Sequence, residues 1–477
     1  MSKNRTGRQV SDERHELKQS LRNRHVTMIA LGGIIGAGLF VGSGAVINAT
    51  GPAAILSYLL AGGLMILVMR MIGEMAVAYP STGSISDYSR KALGNWAGFT
   101  VGWLYWYFWL IVLAIEAVAG AGILVNYLNI PPWLLCLLLI LLLTLTNLYS
   151  VNSYGEAEFW LASIKVIAII AFIAVGVLYL IGLWHGHSPG FSNLYSKGGF
   201  FPKGIGAAFI GSVTVLFSIG GAEIATIAAA ESNNPAKNAA TATKQVMYRV
   251  FFFYVVSVFI IVAIVPWNVK FGGVAIQSPF AIALNHLGIP VAGTIMQFVI
   301  LTAVLSSLNS CIYITSRMLF ALTKQGDAPR IFFKTTKRGV PVWAILAGTL
   351  FGYVGVILDY FFPNTVFLFL INSAGAVSLF YYLIIAYSEI KLRRKLEREA
   401  PEKLKLKMWC FPYLTYFSIS CMLAVLIVML FLQDTRSEVL MSFISFIVIL
   451  LAYAIHAKRK KRLGQYIDKP VSGQFEN

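Results

Sequence analysis

The chain has 477 residues, 58% of them hydrophobic and only 12% charged, and its formal net charge is +18. Soluble domains hold about a quarter charged residues, so this composition excludes an ordinary soluble enzyme. Apolar runs of roughly 20 residues match what a helix needs to cross about 30 Å of hydrocarbon. The positive charge lies in tails and short loops, which points to orientation in a membrane rather than to nucleic acid.

Residues 1–24 are polar and basic, with no short apolar segment ahead of a cleavage site, so the first apolar run is expected to remain as a span. Apolar length predicts about twelve spans, near 25–50, 53–78, 98–127, 132–151, 157–183, 205–230, 246–267, 291–321, 342–360, 363–388, 411–432 and 437–457. With the N-terminus inside, the outer loops hold only Lys197, Lys203, Lys270 and Arg436 out of 38 Lys and Arg. That bias predicts a multi-pass protein of the cell membrane with both termini cytoplasmic.

Two spans are interrupted. The first carries Gly32-Gly33-Ile34-Ile35-Gly36-Ala37-Gly38-Leu39-Phe40, then Gly42 and Gly44; the sixth carries Phe217-Ser218-Ile219-Gly220-Gly221-Ala222-Glu223. Each glycine weakens a helix by about 1 kcal/mol relative to alanine, and backbone unwinds at membrane depth only where it is buried in protein or lines a cavity. One break opens spans one to five and the other spans six to ten. Five is odd, so the two groups have opposite orientations, the pattern of an inverted repeat with broken helices facing at the midplane. The expected fold is therefore all-α, with a ten-helix transport core over 25–388 (repeats 25–183 and 205–388). A basic cytoplasmic loop (389–410), helices eleven and twelve (411–457) and a cytoplasmic tail (458–477) follow.

The breaks have opposite chemistry at their ends. A half-helix starting near Gly38 offers free N–H groups to a carboxylate, and one ending near Ile35 offers carbonyls to an ammonium group, as do carbonyls around Phe217 and Ser218. Ile35, Gly36, Ala37, Gly38, Phe217, Ser218, Gly220 and Gly221 are thus candidate substrate-binding residues, and the substrate class is a zwitterion. Packing of small residues four apart explains Gly32 and Gly36 but not the whole glycine run.

Three ionisable residues fall inside spans: Glu116 in the third, Lys165 in the fifth and Glu223 in the sixth. Charge at that depth costs at least about 2.5 kcal/mol and marks ion or proton paths, so these are candidate proton-coupling groups. Against that reading, Lys165 can snorkel to the cytoplasmic interface, and Glu116 can be a neutral acid that only holds helices together. Arg70 and Glu74 are spaced for a local ion pair. The segment Tyr79–Gly98 reads as a loop or part of an inner gate, and Glu231–Lys244 as an ordinary turn. The cluster Trp103, Tyr105, Trp106, Tyr107, Phe108 and Trp109 reads as an interfacial belt with packing, with a cavity wall as the alternative. Cys136, Cys311, Cys410 and Cys421 lie in or beside apolar runs and read as small packing residues. All six histidines lie in tails, loops or span edges, and no nucleotide-binding loop or nucleophile motif appears. No enzyme activity, catalytic residue, cofactor, metal or protein partner is therefore expected, and transport is expected to be driven by an ion gradient.

Several segments together resemble the amino acid permeases of the amino acid–polyamine–organocation superfamily, over essentially the whole chain. They are Leu21-Arg22-Asn23-Arg24-His25, Gly36-Ala37-Gly38-Leu39-Phe40, Glu158-Phe159-Trp160 with Lys165, Pro266-Trp267, Leu308-Asn309-Ser310 and Ser316-Arg317-Met318-Leu319. The resemblance is strongest to the GABA permease branch, through Gly102-Trp103-Leu104-Tyr105-Trp106, Ile115-Glu116-Ala117 and Phe369-Leu370-Ile371-Asn372-Ser373. It implies the leucine-transporter-type fold and proton-coupled import of an amino acid, GABA above all, with another neutral amino acid such as proline, or exchange, as alternatives. It also implies that Gly36–Gly38 holds the substrate carboxylate, that Phe217–Glu223 faces the amino group, and that Lys165 stands where sodium-coupled relatives bind their ion. Many relatives have threonine where this chain has Ala37; alanine is the choice of the GABA branch. The expected partners are the small zwitterion, protons and the lipid bilayer.

Overall fold

The computed structural model describes residues 35–79, 85–149, 154–184, 190–224, 235–269, 271, 277–336 and 339–462. Gly32, Gly33, Ile34, the segment 21–25, Pro80, Gly83, Asn233, Asn234 and Lys270 lie outside the described residues.

In chain order the helices are α1 (Ala37–Phe40), α2 (Gly42–Thr50), α3 (Ala54–Ala78), α4 (Ile85–Leu93), α5 (Asn95–Leu124), α6 (Pro132–Tyr149), α7 (Tyr154–Leu180) and α8 (Ile205–Ile219). They continue as α9 (Pro235–Arg249), α10 (Ser257–Ile264), α11 (Pro279–His286), α12 (Pro290–Lys324), α13 (Val342–Phe361), α14 (Val366–Glu399), α15 (Tyr413–Phe431) and α16 (Gln433–Arg462). Among the described residues, ten helical stretches are long and apolar enough to cross a membrane. The first, Ala37–Ala78, is divided by a turn at Gly51–Ala53, and the shorter apolar α8 adds one more, in line with the expected twelve.

Burial separates centre from rim. The apolar stretch of α5 is 89% buried, whereas those of α7 and α16 are 28% and 11% buried. A helix apolar on every side belongs in a protein interior or in lipid. Here α5 takes the interior, packed by α12, α14 and α13, and α7, α15 and α16 present apolar faces outward.

Polar connections contain more helix than apolar length suggests. Residues 231–244, read as a turn, become α9 from Pro235 onward, because proline suits the first helical turn and four alanines follow. α9 then passes through a π-helical stretch, Val250–Val256, into α10. The amphipathic α4 lies within the segment read as a loop. Likewise α14 runs on to Glu399, through the first half of the segment read as a basic loop, since Lys, Arg, Glu and Leu are all good helix formers.

That extension redirects an ion pair. Glu74 does not take Arg70 four residues away; it accepts from Arg393 on α14 at 2.7 Å and from the backbone N–H of Met408. Arg70 instead donates to the Lys407 carbonyl at 2.9 Å and covers the Trp409 ring. Glu74 is 2% exposed, so removing its cation strands a buried charge, at a cost of about 3–5 kcal/mol. Arg393→Met is therefore expected to lower the melting temperature of the detergent-solubilised protein far more than Arg70→Ala, whose surface contacts are worth under about 1 kcal/mol. Equal shifts in a thermal melt would contradict this assignment.

Candidate functional site

The first break lies where the glycines stand. Ile35 is non-helical, and Gly36 caps α1 with φ −141° and ψ −141°. The second lies at Gly220, whose N–H closes α8 onto the Leu216 and Phe217 carbonyls at 2.9 and 3.0 Å. Gly221 follows with φ +83°, a conformation that favours glycine. The two breaks are in contact. A β-carbon on Gly38 would lie 2.7 Å from Ser218 Cα and 3.1 Å from the Phe217 ring, so these helices approach closely only because position 38 has no side chain.

Glu116, two-thirds of the way along α5, reaches into the first break. Its two carboxylate oxygens accept the Ala37 N–H at 3.1 and 3.0 Å, and Oε1 also accepts from Ser307 on α12 at 2.9 Å. A β-carbon on Gly36 would meet Glu116 Oε1 at 2.3 Å and Ser307 Oγ at 2.7 Å. The first donor of the half-helix is therefore already held by the protein's own carboxylate. The sequence reading left every donor there to the substrate, because nothing in sequence distance links Glu116 to Ala37.

Lys165 is 0% exposed and does not snorkel. Its ammonium donates to Ser306 Oγ at 3.0 Å and stands 3.7 Å from Glu158 Oε1, while Ser306 donates to Glu158 Oε2 at 2.6 Å. Glu158 escaped notice as a charge partner, although it precedes Lys165 by seven residues and so shares one face of α7. Adjacent serines on α12 thus join two acids: Ser306 serves the Lys165–Glu158 pair and Ser307 serves Glu116. Glu223 belongs to another set. It accepts from the Tyr381 and Tyr382 hydroxyls of α14 at 3.4 and 3.2 Å, with the buried Arg249 in electrostatic reach. The three ionisable residues singled out in the spans therefore form two clusters, one at each break.

Between the breaks is a small cavity. Gly38 lines it from α1; Phe108, Trp109, Val112 and Glu116 from α5; Phe217, Ser218 and Gly220 from the second break; and Ser307 from α12. Its volume, about 10 Å³, is close to what one water needs, so an amino acid enters only when the helices move apart. Part of the aromatic cluster is thus a cavity wall. Phe108 and Trp109 are 1% and 2% exposed, and Tyr105 stacks on Phe108 at 6.4 Å. Trp103 and Trp106 instead anchor α5 through their indole N–H groups, to the Asp327 and Thr315 carbonyls. Of the substrate-binding candidates, Gly38, Phe217, Ser218 and Gly220 line this space; Ile35, Gly36, Ala37 and Gly221 shape the backbone behind it.

Arg90 of α4 pairs with Asp327, beyond the end of α12, and bonds Gln325 at 3.1 Å and Asn95 at 2.9 Å. These bonds tie α4 to the ends of α5 and α12.

Comparison with known proteins agrees with this architecture. Residues 25–463 match the family described as amino acid permease, which has the leucine-transporter-type fold. A gamma-aminobutyric acid permease of Bacillus subtilis is 52% identical over 446 residues, covering 93% of this chain and 94% of its own length. A gamma-aminobutyric acid permease of Escherichia coli is 45% identical over 453 residues, covering 94% and 97%. An aromatic amino acid transport protein of Corynebacterium glutamicum is 38% identical over 425 residues, covering 89% and 92%.

Proposed function

The chain belongs to the amino acid permease family, and from that premise we propose that it imports GABA, or a zwitterion of similar size, by proton symport. The observation that carries this reading is the meeting of two helix breaks around a buried carboxylate, Glu116, with a cavity between them. The names of relatives at 52% and 45% identity support GABA as the substrate. The protein is a multi-pass membrane protein; the concentration of Lys and Arg in alternate connections supports placement in the cell membrane with both termini in the cytoplasm.

In this reading the substrate carboxylate docks at Gly38, beside the donors of the first break, and the ammonium turns to the carbonyls around Phe217 and Gly220. The carboxylate then lies next to Glu116. Two carboxylates a few ångströms apart do not both stay ionised, so one proton enters with each substrate and leaves the pair with a single negative charge. Lys165 and Glu158 balance each other behind Ser306, and their separation would pass the change to α7 and α12. Glu223, held by Tyr381 and Tyr382, couples the second break to α14. Rocking of helices around the fixed site would give alternating access.

Radiolabelled uptake into proteoliposomes tests this, with GABA, proline, alanine, asparagine and lysine compared with and without an inward proton gradient. GABA uptake that rises with the gradient is expected. Uptake that requires internal amino acid and ignores the gradient would replace symport with exchange.

A further inference from the structure

Two lysines share one aromatic ring where α3 ends. Tyr79 caps α3, at the end of the apolar stretch Ala37–Ala78. Lys91 of α4 stands over its ring with Nζ 4.0 Å from the centroid. Lys403, in the turn that follows α14, stands over the same ring at 5.9 Å. The packing of α4 against α14 brings these two lysines together from distant parts of the chain. The acids nearby are engaged elsewhere: Asp87, one turn before Lys91, accepts from Gln325, and Glu399 pairs with Lys395 at 3.7 Å. Among the described residues, neither Lys91 nor Lys403 has a carboxylate at ion-pair distance. Partial burial, and then the like charges of Lys403 and Lys395, hold the Lys91 ammonium below its usual range, against the opposing pull of Asp87.

The surroundings set the depth of this pair. Tyr387, Trp409, Tyr413 and Tyr416 are 47%, 38%, 76% and 45% exposed at the same end of the bundle. Cations stand among them: Lys391 over Tyr387 at 5.7 Å, Arg70 over Trp409 at 4.8 Å, and Arg394 donating to the Tyr416 hydroxyl at 3.1 Å. Exposed aromatic rings with Lys and Arg at the ends of spanning helices mark the headgroup level of a bilayer. Two ammonium groups crowded on one ring, with no acid of their own, are complementary to an anion, and at this depth the abundant anion is a lipid phosphate. A zwitterionic lipid also carries an ammonium group, which the lysines repel. We propose that Lys91 and Lys403 form a binding site for the headgroup phosphate of an anionic phospholipid, held across the Tyr79 ring. The lipid ties α4 to the turn after α14. Arg90, beside Lys91, already ties α4 to the ends of α5 and α12, so an occupied site holds four helices together at this end.

Thermal melts of the full-length protein in detergent provide the test, with phosphatidylglycerol titrated in and phosphatidylcholine and inorganic phosphate as comparisons. Phosphatidylglycerol is expected to raise the melting temperature of the wild type by a few degrees, because a ligand that binds only the folded state stabilises it. Phosphatidylcholine and inorganic phosphate at the same concentration should not. The Lys91→Gln/Lys403→Gln double variant should need roughly 30-fold more phosphatidylglycerol for the same rise. Lys458→Gln/Lys461→Gln, which removes two exposed lysines at the end of α16, should respond as the wild type does. If the first double variant does not fold, Lys403→Gln alone, in a surface turn, is read in the same way with a shift of roughly fivefold. A wild type that ignores phosphatidylglycerol, or a Lys91/Lys403 variant that responds like the wild type, overturns the proposal. So does an equal loss in the Lys458/Lys461 control, which would reduce the effect to overall charge. An equal rise with inorganic phosphate would overturn the lipid as the occupant and make this a site for free phosphate.

Discussion

Gly36→Ala is expected to reduce uptake by at least about 100-fold while the protein still inserts in the membrane. The added methyl would lie 2.3 Å from Glu116 Oε1 and 2.7 Å from Ser307 Oγ, far inside contact distance. Neither neighbour can yield without loss. Both Glu116 oxygens are bound to the Ala37 N–H, and Ser307 is bound to Glu116. The carboxylate must leave the start of α1, and the half-helix loses the acceptor that holds its first donor. Overpacking of this kind costs about 1–3 kcal/mol in stability, but misplacing a binding group by about 1 Å can cost 100-fold in function. Gly63→Ala is the control: a β-carbon there meets nothing within 4 Å, so uptake should be unchanged and the helix slightly more stable. Uptake by Gly36→Ala near the wild-type rate would show that the Glu116–Ala37 contact does not matter for transport.

The second large effect concerns the pair inside α7. Lys165 and Glu158 are 0% and 1% exposed. Lys165→Met leaves the Glu158 carboxylate buried without its cation, which costs about 3–5 kcal/mol, and should sharply lower the melting temperature in detergent. Glu158→Gln strands the ammonium in turn and should behave similarly. The double variant removes both charges and should recover most of the lost stability, because replacing a whole buried pair is often close to neutral. Its transport should not recover: GABA should equilibrate across the membrane without being accumulated by the proton gradient. Additive losses in the double variant would show that the two residues do not act as a pair. Gradient-driven accumulation by the double variant would remove Lys165 from the coupling mechanism.

The helices of this protein, their membrane destination and the sites of the two breaks are properties of the sequence by itself. A bilayer sets a length of about 20 apolar residues for every span, so spans such as Pro132–Tyr149 and Val342–Phe361 come out within two residues of the apolar runs. The glycines at 36 and 220–221 mark the breaks because glycine weakens helix wherever it stands. Where local rules compete, the sequence is less clear. Residues 235–249 and 389–399 are polar enough to read as connections, yet their alanine, lysine, glutamate and leucine content favours helix once neighbours cover one side. Partnerships were decided only by the tertiary structure. Glu74 lies four residues from Arg70 but is paired with Arg393, 319 residues away; Glu116 finds Ala37 across 79 residues; and Lys165 finds Ser306 across 141. Sequence spacing locates neighbours on one helix, whereas a buried charge takes whichever partner the packing of several helices places within about 3 Å. That is also why Trp109 appears in the sequence as one more aromatic residue in a cluster of six, and in the fold as part of the wall of the cavity between the two breaks.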